Sequence, residues 1–486
     1  MSDQLVRGAT WMVSLRWVVR GLGFLRVIVL ARLLAPDDFG VFTIGIIVLG
    51  FIEFLSEGGI EFALIREQAA SREHFDSAWT IQVILGLLTG ALIFASAPLV
   101  ASIFNEPRAE LVVQIIALRP AFNAFTNIGV VFFLKEFDFR KEFLFDVVRN
   151  LIDATTTIVL AVILMNYIAL VLGAVTGAAL ATVFSYIIHP YRPRFCFKKI
   201  REIWSFSGWL LVSYATEQIA DLIDRTVIGV IAAANVLGIY QMASSLGGVI
   251  MQSTIFPLWR GLFPAYAKLV DKPAELAQAY YSVFAWVVLI SCAAGFGIAS
   301  VAPDLVVALL GEKWTPAIVL VPYLAIAIAI AGIVDTPLLI LTALGHTKLC
   351  AIQSLIRVVL LAIALPLAGT VWGAEGVAKA LFGVAILHSP IPFYFLTRKT
   401  SISPVAIFLH AWRPVISGGM LFLVVSIVAD SLDMHPAMAL GVKIVSGGIA
   451  FVACNFVFWA ISGRPSGPET TLIDIAKKRL RTRRAA

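Results

Sequence analysis

Long apolar runs constrain this 486-residue chain more than any other feature of its sequence. Predominantly apolar stretches of about 20 residues recur along it, and each is long enough to cross the roughly 30 Å hydrocarbon layer of a bilayer as a helix. Hydrophobic residues make up 60% of the chain and charged residues 14%, whereas a soluble domain has roughly 45–50% and about 25%. The sequence therefore predicts an integral membrane protein and argues against a cytosolic enzyme.

Polar breaks divide the apolar runs into about fourteen predicted spans. Because backbone groups in lipid must be hydrogen-bonded internally, runs of this length are predicted to be helices. Counted alternately from the N-terminus, the connecting segments on one side carry 26 Lys and Arg, while those on the other carry only Arg108 and Lys313. The positive-inside rule then places both termini in the cytoplasm. The net charge of +7 is interpreted as a topology signal, with no nucleic-acid partner.

A weak internal repeat suggests how the predicted helices are organised. A shift of 198 residues aligns 34–42 with 232–240, each at the outer turn between the first two spans of a half. Parallel repeats are a transporter architecture, with the substrate path between the halves. Chance similarity between apolar segments is the alternative. The predicted all-α membrane fold has two six-helix lobes and two further helices, divided as 1–200, 201–400, 401–462 and a basic cytoplasmic tail, 463–486.

A number of ionisable residues fall inside the predicted spans. Near the bilayer centre each costs roughly 2.5–3.5 kcal/mol on an insertion scale, so the deeper ones are expected to face the bundle interior or water. The candidate substrate-binding cations are Arg20, Arg26, Arg119, Arg225 and Arg260, and the candidate coupling acids are Glu53, Glu57, Asp153, Glu217, Asp221 and Asp224. Guanidinium forks suit a phosphate-bearing head group. Structural pairing between helices is the alternative interpretation of all these groups.

Other classes of site find little support in the sequence. The four cysteines and six histidines are scattered without metal-ligand spacing, so no metal or cofactor is predicted. The phosphate-binding pattern GxxxxGK[ST] does not occur. No predicted outer loop exceeds about 14 residues, which argues against an enzyme such as a membrane polysaccharide polymerase or ligase.

Two segments resemble one known family. The first runs from Arg20 through Arg26, Arg32, Pro36, Phe39 and Gly40 to the stretch with Glu57 and Gly59. The second contains Asp224, Gly229, Gly238 and Tyr240, followed by Arg260, Phe263 and Pro264. Both are similar to bacterial polysaccharide flippases, the Wzx-type members of the multidrug/oligosaccharidyl-lipid/polysaccharide (MOP) exporter superfamily.

The resemblance implies a multi-pass protein of the bacterial inner membrane. Such a protein moves an undecaprenyl-pyrophosphate-linked oligosaccharide outward by alternating access. Its implied partners are this cargo, membrane lipids, an H⁺ or Na⁺ coupling ion and the polysaccharide polymerase machinery. Arg26 resembles the cavity arginine of the related peptidoglycan-precursor flippase, but that family usually places an acid next, where Val27 stands here. The difference favours a polysaccharide repeat unit as cargo and leaves the coupling acid unassigned. A cation-coupled drug exporter of the same fold is the alternative function.

Overall fold

The computed structural model describes residues 21–53, 64, 71–135, 139–200, 218–430, 435–465, 467–474 and 477. Every regular element in these residues is a helix. Eight of the described helices are long and apolar enough to cross a membrane. The predicted all-α membrane fold is confirmed. The number of fourteen spans, the cytoplasmic position of both termini and the division into lobes stay predictions.

The chain forms two compact units, the first of which comprises residues 1–241 with 369–374. Its described helices are α1 (21–33), α2 (Pro36–Glu53), α3 (Arg72–Ile103), α4 (Arg108–Ile116), α5 (Leu118–Ala124), α6 (Val131–Lys135), α7 (Phe139–Leu164), α8 (Tyr167–Ile188) and α9 (218–231). Helices α7 and α8 form a tightly packed pair, and α3 packs against both α4 and α5. Helix α2 lies against α4 and α8.

The second unit comprises residues 242–368 and 375–486. Its described helices are α10 (Ala234–Thr254, which begins in the first unit), α11 (Phe256–Ala267), α12 (Pro273–Ser300), α13 (Ala302–Leu309), α14 (Val321–Ala343), α15 (Thr347–His388), α16 (Pro390–Lys399), α17 (Pro404–Asp430), α18 (Pro436–Ile461) and α19 (468–474). Helix α12 is central, since it packs against both α14 and α17. Its Tyr280, Phe284 and Val288 belong to the core of this unit.

The predicted span 110–134 is broken into shorter helices. Pro120 lies near the start of α5, and its ring lacks the N–H that would continue the ladder from α4. After α5 ends, the side chain of Asn127 accepts a hydrogen bond from the backbone N–H of Gly129 at 2.9 Å and caps a short 3₁₀ turn, Ile128–Val130. The break in the predicted span 237–264, between α10 and α11, is likewise followed at once by a proline, Pro257.

Helix α15 reverses direction at Gly373. Nε2 of His388 lies 3.1 Å from the carbonyl oxygen of Gln353, 35 residues earlier. A straight α-helix would separate those residues by about 50 Å. Gly373 has φ 60° and ψ −146°, a backbone conformation that a residue with a Cβ rarely adopts. The continuous run therefore consists of two antiparallel arms, as the predicted spans 349–369 and 373–396 require.

Large apolar side chains cover the outside of several long helices. Leu367, Ile427 and Ile461 are each at least 65% exposed. A soluble protein rarely exposes contiguous apolar surface on this scale. Together with the length of the helices, these side chains mark the surface that contacts lipid.

Candidate functional site

A close backbone crossing joins the starts of α2 and α10 within the first unit. A Cβ placed on Gly40 of α2 would lie 1.7 Å from the carbonyl oxygen of Ala234, and one on Gly238 of α10 would lie 1.9 Å from that of Pro36. These contacts exchange under the 198-residue shift, which relates Gly40 to Gly238 and Pro36 to Ala234. The start of α2 and the start of α10 thus meet around a local pseudo-twofold axis, and only glycine permits that approach.

Arg26 and Asp153 form an ion pair between α1 and α7. Nη1 of Arg26 donates to Oδ2 of Asp153, although 127 residues separate them in the chain. The two side chains are 30% and 36% exposed. Gly177 of α8 leaves room for the carboxylate, since a Cβ there would lie 2.8 Å from Oδ1. Nε of Arg26 is buried and has no hydrogen-bond partner within the described parts of the chain.

Asp224 and Arg225 lie next to each other on α9 in different environments. Asp224 is 7% exposed, and its Oδ2 accepts a hydrogen bond from the hydroxyl of Tyr240 at 2.8 Å. Its Oδ1 accepts one from the backbone N–H of Arg225 at 2.7 Å. The side chain of Arg225 is half-buried, and its Nε lacks a partner in the region that the structure covers. A satisfied acid thus lies beside an arginine with an unused donor.

The other candidate residues are spread over several elements. Arg119 is half-buried on α5, Glu53 is half-buried at the end of α2, and Asp221 is exposed on α9 one turn before Asp224. Arg260 lies on α11, and its side chain is outside the described part of the structure. Arg20, Glu57 and Glu217 lie outside the described residues. The assignment of all these residues to binding or coupling stays a prediction.

A separate charge cluster lies at the start of α2. Arg108 donates through Nη2 to Oδ1 of Asp37 at 3.1 Å and through Nε to Oε1 of Glu106 at 2.8 Å. The hydrogen bond from Arg108 holds the pKa of Glu106 below its ordinary value. The same two acids raise the pKa of Arg108. This cluster fixes the end of α2 from which Gly40 makes its close contact.

Comparison with known proteins identifies the family. A model of the family described as "Polysaccharide biosynthesis protein" matches residues 29–319, which is more than half of the chain. The chain belongs to this family. The match covers α9 and α10 with Asp224, Arg225 and Tyr240, and it begins three residues after Arg26.

Two curated proteins are similar to this chain over most of its length. The lipopolysaccharide biosynthesis protein WzxC of Escherichia coli K12 is 23% identical over 406 residues, 82% of each chain. The succinoglycan biosynthesis transport protein ExoT of Rhizobium meliloti is 21% identical over 437 residues, which cover 89% of this chain and 88% of ExoT. The family member described here is a multi-pass protein of the bacterial inner membrane.

A solved structure confirms the fold. The lipid II flippase MurJ in its inward closed conformation superposes with a TM-score of 0.74 at 15% identity and covers 94% of this chain and all of that one. The fold is shared with MurJ and with an inward-facing multidrug resistance MATE family transporter of the MOP superfamily (TM-score 0.59, 16% identity, covering 80% of this chain and 98% of that one), and the predicted resemblance to Wzx-type polysaccharide biosynthesis proteins is confirmed.

Two groups in this region were not predicted from the family-like segments. Tyr240 is part of the second resembling segment, but its role as the hydrogen-bond partner of Asp224 depends on the turn between α9 and α10. The crossing of Gly40 and Gly238 was present in the repeat alignment as two matched glycines. The matched glycines were thus the sequence signal for the crossing, but only the distances to the backbone oxygens of Ala234 and Pro36 show that the two helices meet there.

Proposed function

We propose that this protein is a flippase for lipid-linked oligosaccharides. It translocates undecaprenyl-pyrophosphate-linked repeat units from the inner to the outer leaflet of the inner membrane by alternating access, for exopolysaccharide or lipopolysaccharide synthesis. The names of its relatives support the coarser part of this proposal, because WzxC acts in lipopolysaccharide biosynthesis and ExoT is a succinoglycan biosynthesis transport protein.

The single observation that carries the finer proposal concerns the hydrogen bonding of two interior arginines. Arg26 and Arg225 each keep a buried Nε without a partner among the described residues. A buried donor without an acceptor is costly, on the order of 1–3 kcal/mol and more for a charged group. An anionic ligand repays that penalty. A pyrophosphate offers many acceptor oxygens to a guanidinium fork, and lipid tails offer none.

The Arg26–Asp153 pair supports a wet environment for this chemistry. Both side chains are about one third exposed, so the pair is not sealed in a dry helix contact. An incoming pyrophosphate replaces Asp153 as the partner of Arg26, and Asp153 then becomes free to take up a proton. In this scheme Arg20, Arg119 and Arg260 extend the cationic surface, and the coupling step falls to acids among Glu53, Glu57, Glu217 and Asp221.

The proposed topology completes the scheme. The protein has fourteen spans with both termini in the cytoplasm, two six-helix lobes and two additional helices that end in the basic tail. An H⁺ or Na⁺ gradient resets the cycle, and the polysaccharide polymerase receives the cargo at the outer face. The chain itself carries out transport and no covalent step.

Gene deletion and complementation test the proposal. We expect R26A and R225A to abolish surface polysaccharide while the protein stays at wild-type level in the membrane. R398A is the matched control, because Arg398 is exposed on α16 and lies over the ring of Tyr394. Normal polysaccharide with both R26A and R225A would contradict the assignment. Drug sensitivity of the deletion strain with intact polysaccharide would favour the drug-exporter alternative.

A further inference from the structure

A cavity in the second unit contains ionisable groups that the scheme above does not use. It has a volume of about 90 Å³ and lies between α14 and the two arms of α15. Most of its lining is apolar, but four polar side chains reach it: Asp335 from α14, Gln353 and Arg357 from the first arm, and His388 from the second. Ionisable residues at membrane depth are expensive and usually functional.

The hydrogen bond of His388 fixes which ring nitrogen can accept a proton. Nε2 lies 3.1 Å from the carbonyl oxygen of Gln353. A carbonyl oxygen only accepts, so Nε2 carries the hydrogen and Nδ1 holds the lone pair. His388 is 4% exposed, and it lines the cavity as well as contacting the first arm. The imidazole is therefore oriented as a proton acceptor at a defined atom.

Gln353 shows that the cavity has a place for a hydrogen-bond donor. Its side chain is 3% exposed. Nε2 donates to Oγ of Ser354 at 2.8 Å, whereas Oε1 is buried without a partner in the described parts of the chain. A water molecule or a hydronium ion satisfies such an acceptor, because either has hydrogens to donate. The cavity is thus suited to hold the carrier that brings a proton to Nδ1 of His388.

The same set of side chains is unsuited to a metal cation. Calcium sites are built from several oxygen ligands that include carboxylates, and sodium sites in transporters use several backbone carbonyl oxygens at unwound helices. Here one carboxylate, Asp335, shares the cavity with a permanent cation, Arg357, and an imidazole. No cluster of three or more His, Cys, Asp or Glu able to hold a metal occurs within the described residues.

We propose that this cavity is a second proton-coupling site of the transporter, in addition to the acids named above, and that Nδ1 of His388 is the atom that takes up the proton there. With His388 neutral, the charges of Asp335 and Arg357 balance. Protonation adds a positive charge facing Arg357, so His388 and Arg357 then compete for Asp335, and the two arms of α15 and α14 must adjust. This rests on the proposed transport function and selects H⁺ over Na⁺ as the coupling ion.

Nitrogen NMR of the purified, histidine-labelled protein tests the site without any cargo. We expect one imidazole signal with hydrogen on Nε2 at alkaline pH that becomes doubly protonated as the pH falls toward about 5. It is identified by its loss in H388Q, which keeps a donor for the Gln353 carbonyl. H410N is the matched control, since Nδ1 of His410 contacts the Ala406 carbonyl at 2.7 Å outside the cavity. A His388 signal that stays singly protonated throughout would overturn the proposal.

Polysaccharide export in cells supplies the second measurement. We expect H388Q and D335N to lose export, whereas H410N keeps it, with all three proteins present in the membrane. Titration of His388 with normal export in H388Q would remove the coupling role and leave the flippase function intact. Absence of any polysaccharide defect in the deletion strain would instead defeat the flippase function, whatever the NMR result.

Discussion

The pair α1–α2 and the pair α9–α10 occupy equivalent places in the repeat but differ in charge. A shift of 198 residues relates Gly40 to Gly238, and these glycines make matching close contacts. The same shift relates Arg26 to Asp224, so a cation in one pair stands where an acid stands in the other. The backbone crossing is thus symmetric while the chemistry is not. The symmetric glycines serve packing, and the proposed binding groups lie at positions where the two pairs differ.

The partners of the two charges differ in the same way. Arg26 is about one third exposed and pairs with an acid from α7. Asp224 is buried and is satisfied by the hydroxyl of Tyr240, whose equivalent in the first pair is Phe42. A tyrosine occurs where there is an acid to satisfy, and a phenylalanine where there is none. Under the proposed function the first charge is available to a ligand, whereas the second has its hydrogen-bond partners within the protein.

The largest expected effect concerns the shared crossing. We expect G40A and G238A each to lower the free energy of unfolding by about 3 kcal/mol or to prevent folding, because a Cβ there would overlap a backbone oxygen. Thermal unfolding in detergent measures it. G441A on α18 is the control, since a Cβ at that position has open space. If only one of the two substitutions were destabilising, the crossing would not be symmetric.

The second expected effect distinguishes the buried carboxylate of Asp224 from the partly exposed pair of Arg26 and Asp153. Y240F leaves Oδ2 of Asp224 without its donor, at a cost of about 1–3 kcal/mol, and the double variant Y240F/D224N should recover part of it. Y394F is the control, because Tyr394 is 55% exposed. The unfolding temperatures of wild type, Y240F, Y240F/D224N and Y394F measure these differences in stability. Equal stability of Y240F and wild type would mean that Asp224 does not need this hydrogen bond.

The third expected effect is small for stability and large for function. D153N should cost less than about 1 kcal/mol of stability, since a part-exposed ion pair contributes little. Its effect on export should nevertheless be large, because the carboxylate that releases Arg26 to the cargo is gone. Polysaccharide export and unfolding temperature are measured on the same variant. A strongly unstable D153N protein would instead make the pair a structural one.

Much of the fold could be predicted from the sequence, because apolar length and charge distribution act locally. The spans around α3, α8, α12 and α18 follow directly from runs of apolar residues. The breaks at α5 and α11 were missed, since apolar content is continuous across them and the interruption depends on Pro120 and Pro257. Span prediction counts hydrophobicity and does not register a missing backbone donor.

The candidate site was harder to predict, because it depends on contacts between distant segments. Arg26 and Asp153 were each identified as interior charges, but their pairing required the packing of α1 on α7. His388 was judged one of six scattered histidines, and its relation to Gln353 exists only because Gly373 reverses α15. Spacing along the chain reveals neighbours on one helix and not partners across a hairpin.

The smallest expected effect concerns the turns at the starts of α2 and α10. Asp37, which binds Arg108, is equivalent to Asn235, which has no charge. R108Q should therefore destabilise the start of α2 by less than about 1 kcal/mol. Because the pKa of Glu106 is depressed in the folded state, its contribution is present above the ordinary value of 4.5 and is lost as pH falls below it. The difference in unfolding temperature between wild type and R108Q should shrink over that acidic range, and a constant difference would contradict this origin.

The leaflet on which the lipid-linked oligosaccharide accumulates tests the central claim most directly. In spheroplasts and inverted vesicles, a membrane-impermeant sugar-modifying reagent distinguishes the outer from the cytoplasmic face. We predict that wild-type cells in which polymerisation is blocked present the repeat unit on the outer face, and that cells with R26A hold it on the cytoplasmic face. Outer-face accumulation in R26A cells, or in cells that lack the protein altogether, would contradict the proposed translocation through the arginine site.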